Sequence, residues 1–573
     1  MFDFNYLKKN LKKEKLGYRK IKLAIVSDSA SQFLKSAIKG YGIEKEIDFD
    51  IYEADYNQID LQVFDFSSEL YEFEPEFIFI NYSSEHLLKE FYKKSKNQQF
   101  NFSNDKIAHF KNIVDTITSK LKSKIIVNNY LEINDNVFGN FATKVEISFI
   151  YQLRKLNFQL MDFSRENKNL FIADFTSLQS QYGYHFTFDP KLYTSADIVH
   201  SIDFIPYIAK SITDIVCSIS GIFKKCLILD LDNTVWGGII GDDGIEGIQI
   251  GDLGIGKAFT ELQLWAKQLK QRGIILCVCS KNTEEIAKEP FALHPEMVLK
   301  LEDIAVFMAN WDNKVDNIKY IQSVLNIGFD SMVFLDDNPF EREMVRNGIS
   351  DITVPHLPED PAEYLGYLRT LNLFETASFT DEDEIRTQQY QEEAKRNILQ
   401  KSFSNEEDFL KNLNMLSDLK PFNKFTIPRV AQLTQRSNQF NLRTIRYTEE
   451  EILQIADSKE YFSLSFTLED TFGEHGLIGI IILKNIDNES LFIDSWIMSC
   501  RVLKRGMENF TLNKIVELAK EKGFNRIIGE YIPTKKNAIV KNHYSDLGFE
   551  REGEEWILEL ANFEPLETFI KTK

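Results

Sequence analysis

Cysteine is scarce. The 573 residues contain five (Cys217, Cys226, Cys277, Cys279 and Cys500), and no two of them form a Cys-x-x-Cys pair. Neither a disulfide framework nor a zinc site is signalled, which points to a reducing cytoplasm. Positive charge is also in deficit. Lys and Arg number 67 against 87 Asp and Glu, a formal net charge of −20. Without spare cations to neutralise phosphates, general nucleic-acid binding is excluded. No apolar run is long enough to span a bilayer, and the basic residues 1–22 lack the apolar core of a signal peptide. Phe2, Phe4, Leu7 and Leu11 instead sit at roughly helical spacing, as in a packed amphipathic helix. The remainder is ordinary globular composition, 43% hydrophobic and 27% charged. The chain is too long for a single core and predicts three or four domains.

The most informative stretch is KKCLILDLDNTVWGG, residues 224–238. Its apolar run Cys226, Leu227, Ile228, Leu229 reads as a strand buried on both faces of a parallel sheet. Asp230 and Asp232 follow, two apart and pointing the same way. They leave the strand at its carboxyl end, where open α/β sheets place their ligands. Two carboxylates there repel each other unless a cation stands between them, so a divalent metal is implied.

Upstream, apolar runs at 21–26, 77–80 and 124–127 end in polar residues and alternate with helical patterns. That alternation predicts a doubly wound α/β domain over residues 1–214. The pair Asp28-Ser29 with the distant Asp197-Ile-Val-His200 resembles the SGNH (GDSL-type) hydrolases. The resemblance implies a Ser29 nucleophile, a His200 base and an orienting Asp197. Ser27 replaces that family's glycine, and its Gly-x-Asn-Asp block is missing, so a vestigial triad in a binding or scaffolding domain is the expectation. A helix start at 194–197, with His200 at the surface, is the alternative reading.

Residues 215–372 form the second domain. Behind residues 224–238 come a glycine-punctuated stretch at 239–250, read as a loop and hairpin, and then a helix. A second strand ends in Ser280, Lys281 and Asn282. Lys314 opens another helix, and a third strand ends in Asp336 and Asp337. This ordered set resembles the haloacid dehalogenase (HAD) superfamily, with a doubly wound, Rossmann-like core. The residue types support phosphoryl transfer. Asp230 is the nucleophile, and Asp232 is the acid and then the base. Ser280 and Lys314 stabilise the transferred group. Thr234, Lys281 and Asn282 complete the substrate contacts, and Mg²⁺ is held by Asp230, Asp232, Asp336 and Asp337. The intervals between these motifs leave no room for a cap domain, so the site is expected to be open to a macromolecular substrate or to closure by a neighbouring domain.

Residues 373–408 read as an exposed helical linker. Residues 409–573 hold strand patterns, the basic loop Ser499-Cys-Arg-Val-Leu-Lys-Arg-Gly506, a helix, another strand and Leu547-Gly-Phe549. This order resembles the GNAT acyltransferases, an α+β fold whose loop and helix start cradle a pyrophosphate. Arg501, Arg505 and Gly506 are the implied binding residues. The amide-rich stretch 432–442 reads as a hydrogen-bonding surface. Cys500, beside Arg501, Lys504 and Arg505, is the thiol best placed for acyl transfer, with Cys279 the second candidate.

Taken together, residues 225–238, 279–282, 334–342, 439–442 and 499–502 resemble the FkbH-like family. Membership implies dephosphorylation of a phosphoglyceryl substrate, 1,3-bisphosphoglycerate, and transfer of the glyceryl unit to the phosphopantetheine arm of an acyl carrier protein. A stand-alone Mg²⁺ phosphatase with flanking binding modules is the alternative.

Overall fold

The computed structural model describes residues 2–380, 383, 386–400, 403, 405–487, 489–499, 502–503, 505–534 and 536–573. The chain divides into two compact units, Met1–Ser218 and Ile219–Lys573. Among the described residues no helix is long and apolar enough to cross a membrane.

The first unit is built on five parallel strands: β1 (Arg19–Ser27), β2 (Ile47–Glu53), β3 (Phe77–Asn81), β4 (Lys124–Asn128) and β5 (Leu170–Ala173). Their order is β2-β1-β3-β4-β5. β3 and β4 are buried along their whole length, as expected of strands covered by helices on both faces. The first helix, Phe4–Asn10, is capped by Asp3 and lies against the helix Gln32–Glu44. Contact is closest at Gly40, where a Cβ would stand 2.5 Å from the Leu7 carbonyl oxygen.

The expected helix start at 194–197 is in fact a helix end. Pro190–Ala196 is helical and Asp197 closes it in the left-handed region at φ 54°. His200 is buried, not at the surface.

The second unit carries two sheets. The first holds β6 (Cys226–Leu229), β7 (Ile275–Ser280), β8 (Ile304–Ala309) and β9 (Met332–Leu335), all parallel, in the order β8-β7-β6-β9. Apolar clusters cover both of its faces. Residues 239–250 form helical turns over Ile240–Gly247, broken at Gly244 (φ 66°), instead of a hairpin, and one antiparallel bridge, Gly237 to Gln249, remains of the latter. The linker is not an exposed spacer. Its helix Arg386–Gln400 buries Tyr390 in the core with Val306 and Ile321, and Gln391 donates to the Ile304 carbonyl of β8 at 2.8 Å.

The other sheet has nine strands: β10 (Leu416–Ser417), β11 (Leu419–Lys420), β12 (Tyr461–Asp470), β13 (Gly473–Asn485), β14 (Ser490–Met498), β15 (Arg526–Glu530), β16 (Glu550–Glu552), β17 (Glu555–Glu559) and β18 (Lys571–Thr572). Its order is β16-β17-β15-β14-β13-β12-β10-β18, with β11 on β12. The helix Met507–Lys522 connects β14 to β15, and the strand–loop–helix–strand order is the one expected of a GNAT-like α+β domain. β14 and β15 pair in parallel only from Ser490 to Phe492 and then part. Residues 440–442 fill this fork: Met498 N–H donates to the Phe440 carbonyl at 3.2 Å and Ile532 N–H to that of Leu442 at 2.9 Å. Arg443 ties the two sides through Asp494 at 3.0 Å and Glu530 at 2.7 Å. The amide-rich stretch is therefore not a surface. Gln432, Thr434 and Asn441 are buried, and Gln432 donates to Asp383 at 2.6 Å.

Candidate functional site

The carboxyl ends of three adjacent strands deliver the site. β6 runs into Asp230, which donates its N–H to Leu335 of β9 at 2.9 Å and so leaves the sheet in register with Asp336. Lys314 begins the helix Lys314–Leu325 behind an Asn313 cap. Its ammonium stands 2.9 Å from Asp230 Oδ1 and 2.6 Å from Asp336 Oδ2. Burial opposes charge on Lys314, yet Asp230 and Asp336 outweigh it and hold the ammonium above its ordinary range.

The carboxylates still outnumber that cation. Oxygens of Asp230, Asp336 and Asp337 lie within 4.8 Å of one another, as a metal ion requires. Burial first, and the nearby Asp230 second, push Asp336 up to about 7 and Asp337 to about 6. Three crowded hard-oxygen donors with one shared ammonium fit a small divalent cation. Asp232 is not in this group. Its Oδ1 accepts from Trp236 Nε1 at 2.9 Å and Ile240 N–H at 3.0 Å, and its Oδ2 from Asn282 at 3.0 Å.

The other expected contacts fall into two sets. Asn282 also donates to Ser280 Oγ at 3.1 Å, so it links Ser280 to Asp232. Thr234 accepts from the Asp337 N–H at 3.1 Å and fixes the two metal-side loops to each other. Lys281, by contrast, is paired with Glu341 at 2.6 Å. One residue without an assigned role in the sequence reading is Arg342, whose Nη1 donates to the carbonyls of Asp336 at 2.7 Å and Asp337 at 2.6 Å. Its signal was its place in the first turn of the Pro339–Gly348 helix, directly behind the acidic pair. Between Asp232 and Lys314 lie short helices and sheet strands only, with no inserted cap domain.

Cys279 is buried in β7, and burial pushes its thiol up, away from the reactive thiolate. Cys500, Arg501 and Lys504 lie outside the described residues. Arg505 is buried and bonds Glu393 at 2.5 Å and Asp470 at 3.3 Å, so its charge is already met inside the protein. Gly506 takes φ 76° to start the helix Met507–Lys522.

In the first unit the triad Ser29, Asp197 and His200 does not assemble. The ring nitrogens of His200 make no hydrogen bond of normal geometry, and the ring packs between Phe175 and Phe204. Burial lowers it to about 4, so it stays neutral in an apolar niche. Asp197 instead bonds His86 Nε2 at 3.0 Å. Ser29 is buried beside Ser27. Asp28 accepts from the N–H of Ser83, the cap of the helix Ser84–Tyr92, at 2.8 Å.

Comparison with known proteins agrees with this layout. The FkbH N-terminal domain model matches residues 22–217. The solved N-terminal part of a Bacteroides fragilis protein, containing a phosphatase domain and complexed with Mg, is 51% identical. That match covers 66% of this chain and 100% of that one, with a TM-score of 0.64. Escherichia coli ribosomal-protein-S18-alanine N-acetyltransferase (12% identity, 26% of this chain and 99% of that one) and Vibrio cholerae spermidine N-acetyltransferase (13%, 25% and 96%) each give a TM-score of 0.21, too distant to inform the chemistry. A search of curated proteins gives no match. On the domain match and the extent of identity to the Bacteroides protein, this chain belongs to the FkbH-like family.

Proposed function

We propose that the chain is a Mg²⁺-dependent phosphatase whose Asp230 accepts the phosphoryl group. The observation that carries this reading is the pair of buried carboxylates Asp230 and Asp336 bridged by Lys314, with half-buried Asp337 beside them. Asp230 attacks phosphorus, and the bond from phosphorus to the leaving oxygen breaks. Asp232, held by Trp236, Ile240 and Asn282, gives that oxygen a proton and then takes one from the water that cleaves the aspartyl-phosphate. Ser280 donates to a phosphoryl oxygen, and Lys314 offsets charge on Asp230 and on the transferred group. Mg²⁺, held by Asp230, Asp336 and Asp337, supplies the positive charge that one lysine cannot.

The finer reading is that the substrate is phosphoglyceryl, 1,3-bisphosphoglycerate, and that the glyceryl unit passes to the phosphopantetheine thiol of an acyl carrier protein. A thiolate displaces the C1 phosphate of the acyl phosphate, inorganic phosphate leaves, and the Asp230 site removes the remaining ester phosphate. Cys500 is the thiol proposed for an acyl-enzyme stage, from the sequence alone. Family membership supports this scheme.

One observation favours the plainer alternative, a phosphatase with flanking binding modules: the chain's own residues 440–442 fill the β14–β15 fork, and Arg505 is spent on internal ion pairs. Incubation with 1,3-bisphosphoglycerate, Mg²⁺ and a holo carrier protein, read by intact mass, separates the two. A glyceryl adduct on the carrier supports transfer. Phosphate release with no acyl adduct anywhere leaves the phosphatase alone.

A further inference from the structure

The first unit contains a cavity of about 750 Å³, within the range of small-ligand sites. It opens at the carboxyl edge of β4 and β5, the edge at which parallel sheets bind ligands. One wall is the loop after β4, carrying Glu132 and Ile133. The other is the helix Phe175–Tyr182 after β5, carrying Thr176, Gln179 and Ser180.

The walls are tied together in advance. Gln179 accepts from the Glu132 N–H at 2.7 Å and donates to its carbonyl at 3.2 Å. Asn129 donates to Thr176 at 2.9 Å. Arg154 grips Glu132 through two bonds of 2.7 and 2.8 Å. A site held open this way loses little freedom on binding.

The lining chooses the chemical class. Glu132 and Arg154 cancel each other, so no spare cation awaits a phosphate or carboxylate. A lone carboxylate engaged by an arginine does not hold a metal. Ile133 and Ile150 offer too little apolar surface for a purely hydrophobic ligand. Thr176 and Gln179 are engaged in tying the walls, and what remains is the exposed Tyr184 ring beside the Ser180 hydroxyl and the Asn134 amide, one flat apolar face next to hydrogen-bonding groups. The geometry points to a neutral, polyhydroxylated ligand, a sugar of one or two rings, bound with one face on Tyr184.

The test is saturation-transfer NMR on the full chain with glucose, galactose, N-acetylglucosamine and maltose at millimolar concentration, with glycerol 3-phosphate as the anionic probe. At least one neutral sugar receives saturation. Binding weakens about tenfold in Tyr184→Ala, as loss of a stacking contact predicts, and weakens also in Ser180→Trp, whose indole occupies part of the cavity lined by Tyr184. If Ser180→Trp does not fold, Tyr184→Ala decides. The proposal is overturned if no neutral sugar binds, if Tyr184→Ala binds as the unaltered protein does, or if glycerol 3-phosphate binds more tightly than every sugar.

Discussion

Lys314 Nζ stands 2.9 Å from Asp230 Oδ1, and both are buried at the carboxyl edge of one sheet. The ammonium also touches Asp336 at 2.6 Å, so a single lysine holds together two carboxylates that otherwise repel.

Replacing that lysine by an isosteric apolar residue therefore has two effects. Lys314→Met lowers phosphate release at least ~100-fold, the scale of losing one transition-state charge contact. It also destabilises the metal-free protein by about 3–5 kcal/mol, because buried carboxylates are left unpaired. Hydrolysis of p-nitrophenyl phosphate and thermal melting in EDTA check the two effects separately. A variant that melts like the unaltered protein contradicts the pairing.

The acidic cluster also sets how pH and Mg²⁺ combine. Asp336 and Asp337 titrate at about 7 and about 6 instead of 3.8. Carboxyl groups raised in the folded state favour folding below their unfolded value, and that contribution is lost as pH rises through 6 and 7. The metal-free protein thus weakens over this range, while the ionised site gains affinity for Mg²⁺. The rise in melting temperature caused by saturating Mg²⁺ is larger at pH 8 than at pH 5.5. Equal shifts at the two pH values contradict this.

Asn282 is a positioning residue for Asp232. Asn282→Ala removes one of three hydrogen bonds to that carboxylate and lowers kcat about 10- to 100-fold, with a displaced pH–rate profile and a modest fall in melting temperature. A loss confined to KM contradicts the assignment.

His200 contributes to stability, not to catalysis. Its folded value of about 4 lies below its ordinary 6.5, so its contribution is present above 6.5 and is lost as pH falls through 4. At pH 5 the cost is about 2 kcal/mol. His200→Leu, in its niche between Phe175 and Phe204, retains the fold and flattens the decline in melting temperature between pH 6.5 and 4.5. A steeper decline contradicts this.

The strands buried on both faces were legible, because runs such as residues 77–80 and 226–229 have no other stable place in a soluble chain. β2 carries the signal of a half-buried edge strand, apolar residues alternating with acids over Ile47–Glu53, although the sequence reading did not assign it. β8 was not legible: six apolar residues cannot be told from a buried helical turn by periodicity. Asp230, Ser280, Lys314 and Asp336 were legible as strand-end and helix-start residues in a fixed order. The engagement of Asp232 by Trp236, and of Asp336 by Arg342, was not, because each depends on how a neighbouring loop or helix turns back. The His86–Asp197 bond joins residues 111 apart, and no local pattern records it.

The most direct measurement is phosphate release by Asp230→Asn in saturating Mg²⁺, alongside the unaltered protein and with folding checked by circular dichroism. With Asp230 as phosphoryl acceptor, release falls at least ~1,000-fold while the fold is retained. Full phosphate release by the Asn variant contradicts the account.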